Sequence, residues 1–231
     1  MVTLWLRLQA PFAAFRWMQA GVWRATSPII PPSAAWGLAL NLAGLETRAA
    51  APGSTTLVRE DAPALELAIG QTAPATSATL YQQLHVYPVG NSGKENKQRT
   101  HGAKHWITPT RRELLVGLDA IIGVRSDDGD LLGRIPEGLR GGLDDRRYGL
   151  PFAGDNNLLF DRITVVDTPP PARWYARMAP GEQPRKGSCR LTVGIDRSDS
   201  SRTTTMIFAP TAAAQISPPD SAWTWTPRPP A

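Results

Sequence analysis

Segment 88–112 is rich in the residue types that bind nucleic acid. Its basic, imidazole and indole side chains are Lys94, Lys97, Arg99, His101, Lys104, His105, Trp106, Arg111 and Arg112, and Glu95 is the only acid among them. Lysine and arginine neutralise phosphate charge, and flat side chains stack on exposed bases, each stack contributing about 1–3 kcal/mol. The composition therefore predicts an RNA-binding insertion, and it leaves a solvated basic loop open as the alternative.

A second candidate site lies just before the first predicted helix. Arg16, Trp17 and Arg24 precede Ser33, which stands where a helix would begin. Helix N-termini offer free amides and a partial positive charge, so Arg16, Arg24 and Ser33 predict a seat for a phosphate group. Burial is an equally good interpretation of Trp17, and Tyr148 could either stack on a base or pack against the protein.

The sequence contains no motif of an established catalytic or metal site. Segment 127–130 resembles the start of a calcium loop, but the glutamate required at its twelfth position is absent, and a polar turn is the better interpretation. Segment 155–157 (Asp-Asn-Asn) predicts a turn capped by side-chain hydrogen bonds. We therefore expect neither a catalytic residue nor a metal or other cofactor.

The overall composition narrows the setting and the partner. The chain has 231 residues, 42% of them hydrophobic, and a net charge of +5, which suits a polyanionic partner. Cys189 is the single cysteine, so an internal disulfide is excluded and a reducing, cytoplasmic setting is expected. No run approaches the ~20 apolar residues that span a bilayer, and Arg7 interrupts the first apolar run, which argues against a signal peptide.

The first residues predict a strand. Residues 2–9 alternate strictly, as a half-buried strand requires. One face carries Val2, Leu4, Leu6 and Leu8, and the other carries Thr3, Trp5, Arg7 and Gln9.

The segment after Pro31-Pro32 predicts a helix that Ser33 caps and Gly44 ends. Its apolar residues recur at helical spacing and form one face: Ala35, Leu38, Ala39 and Leu42. Gly37 inside this helix predicts that a backbone or a ligand approaches closely there.

The remaining chain predicts mainly strands. They are expected at 64–70, 79–87, 113–125, 158–166, 189–196 and 204–209, with a short helix within 131–143 that ends at Gly141-Gly142 and loops at 49–63 and 174–186. The fold class is therefore α+β, with one domain over 1–216. The Pro- and Trp-rich tail, 217–231, is expected to add nothing to the core and to run along the surface or dock on a neighbouring molecule.

Two separated blocks carry a family resemblance. The first is the order of strand, aromatic-Arg segment, Pro-Pro-Ser and helix ending in glycine; the second is the segment 147–157, Arg-Tyr-Gly-Leu-Pro-Phe-Ala-Gly-Asp-Asn-Asn. Together they resemble the CRISPR-associated Cas-five proteins, subunits of the type I Cascade effector complex, and the second block resembles their DevS-like (MYXAN-type) branch. The resemblance covers roughly residues 1–165.

The resemblance implies a ferredoxin-like, RNA-recognition (RAMP-type) fold with a long β-hairpin thumb inserted near 88–112. It also implies a non-catalytic subunit that grips the 5′ handle of the CRISPR RNA (crRNA) with Arg16, Arg24 and the helix start. The implied partners are the crRNA, the Cascade backbone and large subunits, target DNA reached indirectly through the complex and, if the complex guides a transposon, transposition adaptor proteins. No membrane partner is expected.

Two other functions remain open from the residues. One branch of the family cleaves repeat RNA without metal, and Tyr81, Tyr87, Lys104 and His105 could supply that chemistry. Alternatively, the chain could bind single-stranded RNA by itself, using Trp5 and Arg7 on an open sheet face.

Overall fold

The computed structural model describes residues 2–20, 22–49, 56–88, 105–144 and 147–228, and these form thirteen strands and two α-helices. The elements are β1 (Val2–Ala13), β2 (Arg16–Ala20), β3 (Trp23–Thr26), α1 (Pro32–Leu42), β4 (Arg48–Ala49), β5 (Leu57–Val58), β6 (Leu65–Ala73), β7 (Thr76–Pro88), β8 (His105–Ser126), α2 (Gly129–Arg140), β9 (Arg162–Val166), β10 (Arg173–Arg177), β11 (Cys189–Gly194), β12 (Thr204–Pro210) and β13 (Thr224–Thr226). Two short 3₁₀ helices cover Ser200–Arg202 and Asp220–Ala222.

The central sheet has the strand order β6-β8-β1-β9, and each neighbouring pair is antiparallel. Helix α1 connects β1 to β6, and helix α2 connects β8 to β9. This β-α-β-β-α-β order with the fourth strand beside the first is the ferredoxin-like arrangement. The α+β fold class is thereby confirmed, and β10, β12 and β11 extend the sheet beyond β6.

The predicted alternation of β1 is confirmed and explains its burial. Leu6 and Leu8 are fully buried in the main core, on the same side of the sheet as residues of α1 and α2. Trp5, which points to the opposite face, packs instead against Trp174 and Trp223.

Helix α1 begins two residues earlier than predicted, and Ser33 does not cap it. Pro31 is the N-cap, no side chain caps the helix, and Ser33 is the second helical residue. Pro32 suits the first helical position because it has no N–H to satisfy there. At the other end, Gly44 has φ +74° and the Leu45 N–H donates to Leu40 O at 2.9 Å, so the predicted glycine stop is confirmed.

The residues predicted for the apolar face of α1 are all buried, namely Ala35, Leu38, Ala39 and Leu42. A Cβ added to Gly37 would meet none of the described atoms within 4 Å, so no described backbone approaches it closely, and the approach of a ligand there stays a prediction. The second predicted helix is confirmed as α2, which Asp128 caps through a hydrogen bond from Leu131 N–H and Gly141 ends at φ +76°.

Strands β7 and β8 form a long antiparallel hairpin, with partners from Thr76↔Val116 to Pro88↔His105. Strand β8 pairs with β6 over its C-terminal half and with β7 over its N-terminal half. Gly117, with φ +72°, lies between the two halves. The hairpin arms therefore reach Pro88 and His105, and the segment that joins them, 89–104, lies outside the described residues.

The C-terminal tail contributes to the core, so the prediction that it does not was wrong. Strand β13 pairs with β6, and the Trp223 side chain is 3% exposed. The predicted loop at 174–186 was also wrong at its start, since β10 carries the fully buried Trp174. Strand β13 pairs with β6, and β10 pairs with β6 and β12, so both segments gain their structure from partners far away in the sequence.

Trp5, Trp174 and Trp223 form a cluster that covers the sheet face opposite the helices. The ring centroids of Trp174 and Trp223 lie 5.7 and 5.9 Å from that of Trp5, and a Cβ on Gly123 would meet Trp5 at 2.6 Å. The Arg7 guanidinium binds Asp119 at 2.7 Å. The protein's own side chains therefore partly cover the face predicted to bind RNA through Trp5 and Arg7, and that alternative stays a prediction.

We expect Trp223→Ala to lower the free energy of unfolding by about 3–5 kcal/mol, because it removes a buried indole and leaves a cavity beside Trp5. Trp225→Ala, at a half-buried position of β13, is the matched control and should cost less. Denaturant unfolding measures both, and equal losses of stability would contradict the assignment of Trp223, rather than Trp225, to the core.

Candidate RNA-binding site

The candidate site lies where the β2–β3 hairpin meets strand β8. Arg16 pairs with Thr26 across the hairpin, and β3 runs parallel to β8 with Arg24 opposite Arg112. The Arg111 N–H donates to Val22 O at 2.8 Å and fixes this register. Backbone pairing therefore brings arginines from both predicted binding segments to one place.

Three arginines converge on a small pocket at this junction, with a volume of about 50 Å³. It is lined by Ala14, Arg16, Arg24, Ala25, Arg112, Glu113 and Asp155. Within the described ranges, neither Arg16 nor Arg24 forms an ion pair. The structure thus brings Arg16 and Arg24 together as predicted and adds Arg112, while Ser33 does not line the pocket.

Two carboxylates share the pocket, and sequence reasoning missed both. Asp155 forms an ion pair with Arg112, and both side chains are less than one fifth exposed. Glu113 accepts hydrogen bonds from Thr26 N–H at 2.9 Å and from the Ser77 hydroxyl at 3.0 Å. Three guanidinium groups and two carboxylates leave one net positive charge at the pocket.

The electrostatics of Arg112 reflect this crowding. Burial, followed by the like charges of Arg24 and then Arg16, lowers the pKa of the Arg112 guanidinium below its usual value. Arginine side chains nonetheless stay protonated in proteins at pH 7. The pocket is therefore permanently cationic and suits an anion better than proton transfer.

A tight turn places Asp155 opposite Arg112. The Ala14 N–H donates to Ala153 O at 2.9 Å, and the Leu158 N–H donates to Asp155 O at 2.9 Å. Gly154 has φ +86°, and a Cβ there would lie 2.3 Å from Ala14 O. The predicted turn is present, but the Asp155 side chain binds Arg112 and does not cap the turn.

The other predicted binding residues lie apart from the pocket or outside the described residues. Trp17 is 47% exposed, and Tyr148 is 53% exposed with the Arg48 guanidinium over its ring. Arg111 is exposed on β8 next to Arg112. The residues Lys94, Lys97, Arg99, His101 and Lys104 lie outside the described residues, as do the side chains of His105 and Trp106, so their predicted role in RNA binding stays a prediction.

We expect Gly154→Ala to destabilise the turn by about 3 kcal/mol, because the added Cβ would clash with Ala14 O in a left-handed conformation. Gly149→Ala is the matched control: its φ is +65°, but no described atom lies within 4 Å of the added Cβ, so it should cost only about 1 kcal/mol. Thermal unfolding and amide hydrogen exchange of segment 153–158 measure the difference. Equal effects of the two substitutions would contradict the packing of Gly154 on Ala14.

The described residues hold neither a membrane-spanning helix nor a metal-binding cluster. None of their helices has both the length and the apolar character that crossing a bilayer requires. No group of three or more histidine, cysteine or acidic side chains among them is arranged to hold a metal ion.

The fold of this chain is similar to solved structures of CRISPR proteins. A chain described as "CRISPR RNA-guided surveillance complex" superimposes with a TM-score of 0.61 at 14% identity, covering 92% of this chain and 90% of that one. A second, "Crystal structure of Cas protein", has a TM-score of 0.48 at 14% identity, covering 93% and 96%. Among curated proteins, none matches the sequence.

The sequence itself also matches a protein family. The model of the family described as "CRISPR-associated protein (Cas_Cas5)" matches residues 3–142, more than half of the chain. This match spans β1, α1, the β7–β8 hairpin and α2, and it confirms the predicted family, while the DevS-like branch stays a prediction. The chain belongs to the Cas-five family of CRISPR-associated proteins.

Proposed function

We propose that this chain is a non-catalytic RNA-binding subunit of a type I CRISPR surveillance complex, which holds the 5′ handle of the crRNA in the pocket of Arg16, Arg24 and Arg112. The observation that carries the proposal is the convergence of these three arginines at one pocket. Membership of the Cas-five family supports the CRISPR context. The similar fold of a chain from an RNA-guided surveillance complex supports assembly into such a particle.

The chemistry of the pocket suits an RNA phosphate. Guanidinium groups donate paired hydrogen bonds to phosphate oxygens, and they keep their charge at any physiological pH. A volume of about 50 Å³ holds a few water molecules, and one phosphate group could take their place. The Arg16 and Arg24 guanidiniums, which form no ion pair within the described ranges, would supply the charge that such a group requires.

The hairpin arm extends this surface toward partner molecules. In the antiparallel register Tyr81 lies opposite Arg111, and the Tyr81 side chain is 63% exposed. The insert from about Asn91 to Arg112 would cross the guide and contact the first backbone subunit. The large subunit, and transposition adaptors in a transposon-guiding complex, are the further proposed partners. The complex would work in the cytoplasm, where guide-to-target pairing reads DNA sequence.

The proposal of a non-catalytic role rests on the kind of group that the pocket contains. Arginine is a poor general base because its guanidinium stays protonated, and both carboxylates of the pocket already bind donors. The alternative of metal-independent repeat cleavage depends on Tyr81, Tyr87, Lys104 and His105. Of these side chains, only that of Tyr81 lies within the described part of the chain.

Replacing Arg16 and Arg24 together by alanine should weaken binding of a handle RNA by about a hundredfold or more, because the variant loses two charged hydrogen-bond donors that contribute about 1.5–3 kcal/mol each. The slope of log affinity against log salt is negative, and it should become shallower by about 0.7 for each phosphate that the variant no longer neutralises. Fluorescence anisotropy of the full chain with a labelled handle RNA, between low and moderate salt, measures both quantities.

The matched control replaces two exposed arginines that do not line the pocket, Arg162 and Arg197, by alanine. It removes the same charge, so it should reduce affinity only slightly and leave the salt slope nearly unchanged. An unchanged slope in the Arg16/Arg24 variant, or equal effects of the two double variants, would refute the arginine pocket as the handle site.

Incubating the full chain with its repeat RNA in the presence of a chelator should leave the RNA intact, because no general base is proposed at the pocket. Denaturing gel electrophoresis measures the outcome. Cleavage at one position that His105→Ala abolishes would establish the nuclease alternative and overturn the non-catalytic proposal.

A further inference from the structure

The Asp155 carboxylate forms an ion pair with one of the three arginines that line the pocket. Its carboxylate binds the Arg112 guanidinium, while Arg16 and Arg24 form no ion pair within the described ranges. A phosphate group that enters the pocket therefore meets two available guanidiniums and one that already has an anion. Asp155 stands in the position that a phosphate oxygen would take on Arg112.

The backbone holds Asp155 in this position independently of its side chain. Hydrogen bonds join Ala14 to Ala153 and Leu158 to Asp155, and Gly154 packs directly against the Ala14 carbonyl. The chain does not need the Arg112 ion pair to form this turn. The carboxylate is thus a fixed counter-anion beside the site, and RNA binding cannot easily remove it.

We propose that Asp155 competes with the RNA phosphate for Arg112 and so sets the affinity of the pocket for the crRNA handle. This inference rests on the proposed function. The net charge of the pocket, one positive charge, equals the single negative charge of one phosphodiester, so the site is balanced for one backbone phosphate. Removing the Asp155 charge would leave Arg112 free to bind that phosphate fully.

Asp155 has opposite effects on the stability of the free protein and on its affinity for RNA. In the free protein its carboxylate binds Arg112, whose pKa is lowered by burial and then by the like charges of Arg24 and Arg16, and this ion pair opposes their repulsion. In the complex the phosphate offsets this repulsion, and Asp155 then repels the phosphate. Loss of the charge should therefore destabilise the free protein and strengthen RNA binding. A residue with a purely structural role would weaken both when it is removed.

The test is Asp155→Asn in the full chain, measured with a labelled handle RNA and by thermal unfolding. We expect RNA binding to tighten about tenfold and the unfolding temperature to fall. The slope of log affinity against log salt should become steeper by about 0.7, because Arg112 then neutralises one more phosphate. Asp161→Asn is the matched control, since Asp161 is exposed and does not line the pocket. It removes the same charge and should leave the salt slope unchanged.

Repeating the Asp155 substitution in a protein that lacks the Arg112 side chain isolates the interaction between these two residues. In an Arg112→Ala protein, Asp155→Asn should tighten RNA binding by much less than tenfold, because the competed group is absent. Asp155→Ser serves as a second charge-removing variant if the asparagine variant folds poorly. Unchanged or weaker RNA binding in a folded Asp155 variant would overturn the inference, as would an equal gain in the Arg112→Ala background.

The two proposals fail in different ways. If Arg16→Ala/Arg24→Ala weakens handle binding and Asp155→Asn does not strengthen it, the pocket binds RNA but Asp155 is no competitor. If neither change affects handle binding, the proposed function itself is wrong.

Discussion

The backbone pairing of strand β8 is the constraint on which the rest of the structure depends. Over 22 residues this strand pairs with β1 and β3 along one edge and with β6 and β7 along the other. Its C-terminal half completes the ferredoxin-like sheet, and its N-terminal half extends as the hairpin arm. Arg111 and Arg112 lie within this arm, so the position of the pocket is set by the same hydrogen bonds that hold the core together.

Holding like charges together has a free-energy cost that the fold must offset. Strand pairing places Arg24 opposite Arg112, and the hairpin brings Arg16 beside them. Glu113 and Asp155 offset part of the repulsion, yet each is bound to a defined partner. Such a pocket is preorganised for an anion, because the protein has already met the cost of ordering its arginines. A surface of mobile lysines would have to order its side chains on binding.

Local signals were enough to predict the parts of the fold that depend on neighbouring residues. The alternation of β1, the helix α1 with its glycine stop and the strands of the β7–β8 hairpin follow from spacing and turn chemistry. Strand β10, the packing of Trp223 and the ion pair of Asp155 depend on residues far away in the chain, and no local pattern encodes them. Arg16 and Arg24 could be predicted as a pair because they lie close in sequence, whereas their meeting with Arg112 requires the register of β3 on β8. Ser33 was misassigned because the proline at the first helical position moved the cap to Pro31.

The central claim is that one end of a guide RNA binds at the junction of the β2–β3 hairpin and the arm. A structure of the full chain assembled with its guide RNA and partner subunits tests this claim most directly. We expect a backbone phosphate of the RNA within hydrogen-bond distance of the Arg16 and Arg24 guanidiniums. An assembled particle in which this pocket faces solvent and the RNA end binds elsewhere would contradict it.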